Sequence, residues 1–160
     1  MNHESERMMH LLLNTDFNLT FTLIRVVAGI IIFPYGMQKL FGWWDDLGGG
    51  VGIKESLASF ETKKISVFIA WMVIIAQSFG SMMLIIGLFG RIAALFNFII
   101  FVGALFKHSS DGWAMNWTGT KKGEGIEYFI MLLAILLFVI INGSGALSID
   151  YILTLDLEKY

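Results

Sequence analysis

Apolar positions along the chain gather into four runs, at roughly residues 19–41, 65–89, 92–107 and 126–142. A helix rises about 1.5 Å per residue and the hydrocarbon core of a bilayer is about 30 Å thick, so about 20 apolar residues cross it. The first two runs meet that length. The last two are nearer 16 or 17 residues, and they span only where the bilayer thins or helix ends snorkel. Arg25, Gln77, Asn97 and Glu127 interrupt the runs. Polar groups are expensive at membrane depth, so each needs a partner inside the protein. The pattern predicts an all-α integral membrane protein: an antiparallel four-helix bundle, with a short interfacial segment between the first two spans.

Helical periodicity sharpens this expectation. At about 100° per residue, Arg25, Gly29, Ile32, Gly36 and Lys39 share one face of the first run. Small residues let backbones approach in lipid, and cations must avoid it, so this face turns inward. Pro34 is expected to bend the helix just before Lys39. Comparable stripes are Ser66, Ala70, Val73, Gln77, Ser81 and Leu84 in the second run, and Ala93, Asn97, Phe101, Ala104 and His108 in the third. In the fourth, Glu127, Met131, Ala134, Phe138 and Ile141 align. Depth then sorts the polar groups into two layers. Arg25, Gln77 and Asn97 are expected to meet inside the bundle. Gln38, Lys39, His108 and Glu127 lie near the ends that the long loops join, with Tyr35 close by. That second layer can bind a polar headgroup, and the glycines and aromatics behind it can hold an apolar tail.

Composition agrees: 56% hydrophobic and 15% charged residues, a mean hydropathy of +0.72, against about 25% charged in an average soluble domain. A net charge of −2 with no basic stripe gives no nucleic-acid partner. The absence of cysteine removes disulfides, thiolate metal sites, iron–sulfur ligation and thiol relays. His108 has no transmembrane histidine partner for bis-histidine haem, and the KKGEGIEY loop lacks the phosphate-loop spacing. Neither haem, metal nor nucleotide is therefore expected.

Residues 1–18 read as an interfacial or flexible segment without the pattern of a secretory signal, 19–147 as the membrane domain, and 148–160 as a C-terminal tail. The segment from Trp43 to Glu61 is expected to lie along the interface, with a mobile start at Gly48 to Gly50 and a short amphipathic helix carried by Val51, Ile53, Leu57 and Phe60. Positive charge favours the side of the long loops, with Lys39, Lys54, Lys63, Lys64, Lys107, Lys121 and Lys122 against Arg7, Arg91 and Lys159. That asymmetry puts the long loops in the cytoplasm and both termini outside.

Several short motifs recur in a recognisable order: Arg25; Tyr35-Gly36-Met37-Gln38-Lys39-Leu40-Phe41-Gly42; Gly48 to Gly50; Gln77-Ser78-Phe79-Gly80; Gly87-Leu88-Phe89-Gly90-Arg91; His108; and Gly123-Glu124-Gly125-Ile126-Glu127-Tyr128. From about Leu23 to Leu147 the chain resembles the DoxX family of small four-helix bacterial membrane proteins. Two positions depart from that family's pattern. Tyr35 stands where a histidine is usual, and Gln77 where a glutamate is usual, so an Arg–Glu ion pair becomes an expected Arg25–Gln77 hydrogen bond. The resemblance implies a bacterial inner-membrane protein linked to quinol oxidase or thiosulfate:quinone oxidoreductase complexes.

Three functions stay open on this reading. The first is a subunit that binds a quinone or isoprenoid-type lipid through Arg25, Tyr35, Gln38, Lys39, Gln77, His108 and Glu127, with other membrane or peripheral redox subunits as partners and no redox centre of its own. The second is a non-catalytic assembly scaffold whose polar core only sets helix packing. The third is a small lipid or solute transporter. Catalytic residues and the oligomeric state, including a homo-oligomer, are left open. Each candidate also has a structural role available: Lys39 as a snorkelling anchor, His108 as a helix cap, Glu127 as a partner of its helix dipole.

Overall fold

A computed structural model of the chain describes residues 3–47, 50–121 and 123–157. Gly48, Gly49, Lys122 and Lys159, used above for the expected mobile start and the charge asymmetry, lie outside the described residues. Every regular element described is helical: α1 (His3–Leu13), α2 (Leu19–Phe41), α3 (Gly52–Thr62), α4 (Val67–Ile86), α5 (Gly90–His108), α6 (Glu127–Asn142) and α7 (Ile149–Leu157).

Local chemistry sets the ends of the long helices. Asn18 caps α2, its side-chain oxygen accepting from Thr20 N at 2.8 Å and Phe21 N at 3.3 Å, which satisfies two of the donors that a helix start leaves orphaned. Gly42 closes the same helix in the left-handed region (φ 78°). Ser66 caps α4 through Ile69 N, and Gly87 ends it at φ 70°. The second apolar run is therefore trimmed at both ends. The third is lengthened instead: with its following turn it runs Gly90–Asp111, 22 residues, long enough to cross a bilayer. Leu19–Phe41 and Val67–Ile86 also meet that length, whereas α6 is apolar but only 16 residues long.

The long helices pack pairwise, α2 on α4 and α6, and α5 on α4 and α6. Matching levels show that neighbours run antiparallel. Phe21 of α2 packs on Phe138 of α6, and Tyr35 on Tyr128; Arg91 of α5 bonds Ile140, and His108 stacks on Phe129. Ala28, Ile32, Leu84, Ala93, Phe101, Leu132, Leu136 and Val139 build the shared core. Gly36 brings α2 against α4 so closely that a Cβ there would run into the Gln77 backbone. Outward faces are apolar, as at Leu23, Ile30, Phe68, Phe79 and Ile99, while Arg25, Gln38, Ser78, Ser81 and Asn97 are buried. Polar inside and apolar outside is the arrangement that lipid demands.

The inward stripes expected on α2, α4 and α5 point inward, except Ser66, which is exposed as the cap of α4. The one on α6 does not. Met131 and Ile141 are exposed, and Leu132, Leu136 and Val139 form the buried face. Glu127 anchored that expectation, yet its carboxylate turns back to accept from Met115 N at 3.1 Å and so reports nothing about the inward face. The Trp43 to Glu61 segment contains the expected amphipathic helix: α3 packs on α2 and α4, with Ile53, Leu57 and Phe60 half-buried and Lys54, Glu55 and Glu61 exposed. The stretch 148–160, expected as a tail, holds α7, which packs on α1.

Candidate functional site

Polar chemistry collects at the two ends of the packed helices. At the end nearest the termini, Arg25 is fully buried. Its Nε donates to Ser144 O at 2.7 Å, one terminal nitrogen to Leu147 O at 2.6 Å, and the other to Leu84 O and to Ile85 O at 2.9 Å. Leu84 and Ile85 belong to the last turn of α4, where carbonyls lack helical partners and the dipole favours a cation. Arg91 does the same for α6, donating to Ile140 O and Ile141 O, and also to Asn14 O at 3.0 Å.

Asp150 is the complement. Only 1% exposed, its carboxylate accepts from Phe89 N at 2.7 Å, Gly90 N at 2.8 Å and Ser144 Oγ at 2.6 Å. It caps the start of α5, which has no side-chain cap of its own. The Gly87-Leu88-Phe89-Gly90-Arg91 turn is shaped by these partners: Phe89 sits at φ 47°, and a Cβ on Gly87 would strike Ser148 and the Arg25 guanidinium. Thr15, Thr22 and Thr154 tie the chain termini to the same end, with Gly145 N donating to Thr15 Oγ1 at 2.7 Å and Leu147 N to Thr22 Oγ1 at 3.1 Å.

The expected meeting of Arg25, Gln77 and Asn97 does not occur. Backbone carbonyls accept the four hydrogen bonds of the arginine, because the helix end lies within its reach and Gln77 sits further down α4. Asn97 instead donates to Ala76 O at 2.9 Å and Ala93 O at 3.0 Å. The Asn97 Oδ1 and Gln77 Oε1 acceptors are buried with no hydrogen-bond partner.

At the long-loop end, an aromatic row connects three helices. Lys39 Nζ donates to Tyr35 O at 3.1 Å and lies 5.8 Å from the Tyr35 ring centroid. Tyr35 faces Tyr128 at 6.5 Å, Tyr128 meets Phe129 edge-on at 5.6 Å, and Phe129 stacks on His108 at 5.4 Å. The Tyr128 hydroxyl is buried and has Tyr35 as its polar neighbour. His108 Nδ1 lies 2.7 Å from Asp111 Oδ2. If that nitrogen carries the proton, Nε2 is left as the acceptor of the neutral ring. Gln38 is fully buried one residue before Lys39.

The structure therefore brings Tyr35 and Lys39 together, joins them to His108 only through the Tyr128–Phe129 rings, and turns Glu127 toward the 112–126 loop. Sequence reasoning missed Tyr128, Asp111, Ser144 and Asp150. Tyr128 carried a usable signal, being the one hydroxyl-bearing residue on a helix otherwise built of apolar side chains between Glu127 and Asn142. Among the described residues, no group of three His, Asp or Glu side chains is placed to hold a metal ion.

The DoxX family model matches residues 20–110. The chain belongs to the DoxX family. No curated protein and no solved structure matches it. The matched residues run from the start of α2 through α5, so the DoxX match includes Arg25, Tyr35, Lys39, Gln77, the Gly87–Arg91 turn and His108. Asp150 and Tyr128, which complete the two ends, lie beyond it. With its apolar helices, this DoxX protein is a multi-pass membrane protein.

Proposed function

We propose that the chain is a four-helix membrane bundle in which α2, α4, α5 and α6 all cross the bilayer, and that its long-loop end receives the headgroup of a quinone- or isoprenoid-type lipid. It works in a redox complex of the bacterial inner membrane, with both termini periplasmic. The observation that carries this reading is the pairing of Lys39 and Tyr128 around Tyr35. Lys39 uses one N–H on the Tyr35 carbonyl and keeps others to offer, and the buried Tyr128 hydroxyl, beside Tyr35, can turn its O–H to a ligand. A quinone presents two carbonyl acceptors on a flat ring, which fits donors set beside aromatic faces. His108, oriented by Asp111, supplies the acceptor that takes a quinol proton. Electrons pass to or from a partner subunit, since the side chains of this chain contain no redox centre.

The test is binding of a quinone photoaffinity analogue to the purified protein in detergent. The parent should label at the α2–α6 junction, and Lys39→Met and Tyr128→Phe should each reduce labelling while leaving the melting temperature in place. A parent that does not label ends the proposal. A second reading, the assembly scaffold, draws support from the other end, where Arg25 donates to the last turn of α4 and Asp150 accepts from the start of α5. Absence of labelling together with copurification of another membrane protein would favour it.

A further inference from the structure

The segment that follows α6 reads Ser148-Ile149-Asp150-Tyr151-Ile152-Leu153-Thr154-Leu155, and its amphipathicity is reversed. Ser148, Asp150 and Thr154 are buried, at 6%, 1% and 3% exposure. Ile149, Ile152 and Leu155, spaced by three and so on one face of α7, are exposed at 37%, 61% and 42%, and Asp156 in the last turn is exposed on the same face. A helix resting on a protein in water turns its apolar stripe inward and its polar groups out. Here the inward polar groups are fully used: Asp150 caps α5, and Thr154 Oγ1 donates to Leu13 O at 2.9 Å.

The position of α7 gives the reversal a cause. Its first turn is bonded to the α4–α5 turn, Asp150 N donating to Gly87 O at 2.9 Å, and Thr154 reaches the end of α1, so the helix lies across the end of the protein. Leu147 precedes it, 68% exposed, with its N–H on Thr22 Oγ1, inside the first turn of the membrane helix α2. The outward neighbours on that helix, Leu19 and Leu23, are exposed too. The apolar outer surface of α2 thus continues through Leu147 onto α7.

We infer that α7 lies at the edge of the apolar layer of the bilayer, with Ile149, Ile152 and Leu155 against lipid acyl chains and Asp156, in its last turn, at the headgroups. The polar-in, apolar-out pattern that lipid imposes on the spanning helices then extends to α7 as well. The bilayer boundary on this side falls beyond the starts of α2 and α5, and the Arg25–Asp150 cluster sits below it.

The chain has no cysteine, so single-cysteine variants carry one nitroxide each without further engineering. Ile149→Cys, Ile152→Cys and Leu155→Cys, reconstituted in phosphatidylcholine vesicles, are compared for collisions with oxygen, which concentrates in lipid, and with a water-soluble nickel chelate. Ile30→Cys, on the outward face of α2, is the lipid reference, and Asp46→Cys, exposed between α2 and α3, the aqueous one. The expected oxygen-to-chelate ratio at the three α7 positions is several-fold above that of Asp46→Cys and approaches that of Ile30→Cys. A ratio equal to the aqueous reference overturns the inference. So does shielding from both reagents, which would mean that a second copy or another protein covers the stripe.

Discussion

Removing the Asp150 carboxylate should unlock the terminal end of the protein. Asp150→Ala leaves Phe89 N, Gly90 N and Ser144 Oγ without their acceptor, and removes a buried carboxylate whose charge acts on the Arg25 and Arg91 guanidinium groups. A hydrogen bond to a charged group contributes about 1.5–3 kcal/mol, loss of a helix N-cap costs about 0.5–2 kcal/mol, and removing one member of a buried charged set costs about 3–5 kcal/mol. These figures describe the same contacts and do not add, so the expected loss is about 3–5 kcal/mol. For a chain of this size each kcal/mol moves the melting temperature by about 2–4 °C, which gives a fall of about 6–20 °C. Asp150→Asn keeps an acceptor oxygen but not the charge, and should fall about half as far. Thermal unfolding of the detergent-solubilised protein, followed by circular dichroism, measures this. The exposed Asp46→Ala serves as control, with an expected effect within about 0.5 kcal/mol. If Asp150→Ala melts within about 2 °C of the parent, the buried cluster contributes no stability and the reasoning fails.

Three further outcomes follow from the same geometry. Gly36→Ala should cost about 1–3 kcal/mol, since the new methyl meets the Gln77 backbone, whereas Gly103→Ala, with open space around it, should be neutral or stabilise by up to about 1 kcal/mol; equal melting temperatures for the two would contradict the close α2–α4 contact. Gln77→Leu removes a buried acceptor that has no partner and should leave the melting temperature unchanged or raise it, so a clear fall would show that Gln77 holds something. Arg25→Lys exchanges a fork that reaches four carbonyls for a compact ammonium, and should destabilise by about 2–4 kcal/mol in the same melting experiment.

Much of the fold was legible because lipid leaves a strong mark on sequence. The four apolar runs became α2, α4, α5 and α6, and the Asn18, Gly42, Ser66 and Gly87 signals adjust their ends. Inward faces were legible wherever a polar side chain within the span marked them, as Arg25, Gln77 and Asn97 do. On α6 the marker was Glu127, at the helix end, where loop backbone competes for the carboxylate, and the inference slipped. The partner of Arg25 was not legible for a related reason. Sequence periodicity ranks side chains by face and depth, and backbone carbonyls at a helix end carry no residue signature. The same holds for Asp150, which reads as part of a polar tail until the turn at Gly87–Gly90 is seen to need a cap.

The two ends differ in what they leave over, and that difference bears on where a ligand can act. At the terminal end the cations sit on helix C-termini and the carboxylate on a helix N-terminus, each charge on the end of opposite polarity. Arg25 donates to four carbonyls and Asp150 accepts three bonds there, so a guest must compete with bonds that hold α4, α5 and the 142–150 turn together. At the long-loop end the balance is reversed. Lys39 spends one donor on its own helix, the Tyr128 hydroxyl faces another tyrosine, Tyr35, and the aromatic faces between them belong to side chains whose loss would not undo a helix end. The rigid end fixes the spacing of α2, α4 and α5, and α2 carries that spacing from Arg25 to Lys39, about 14 residues or 21 Å along the same helix.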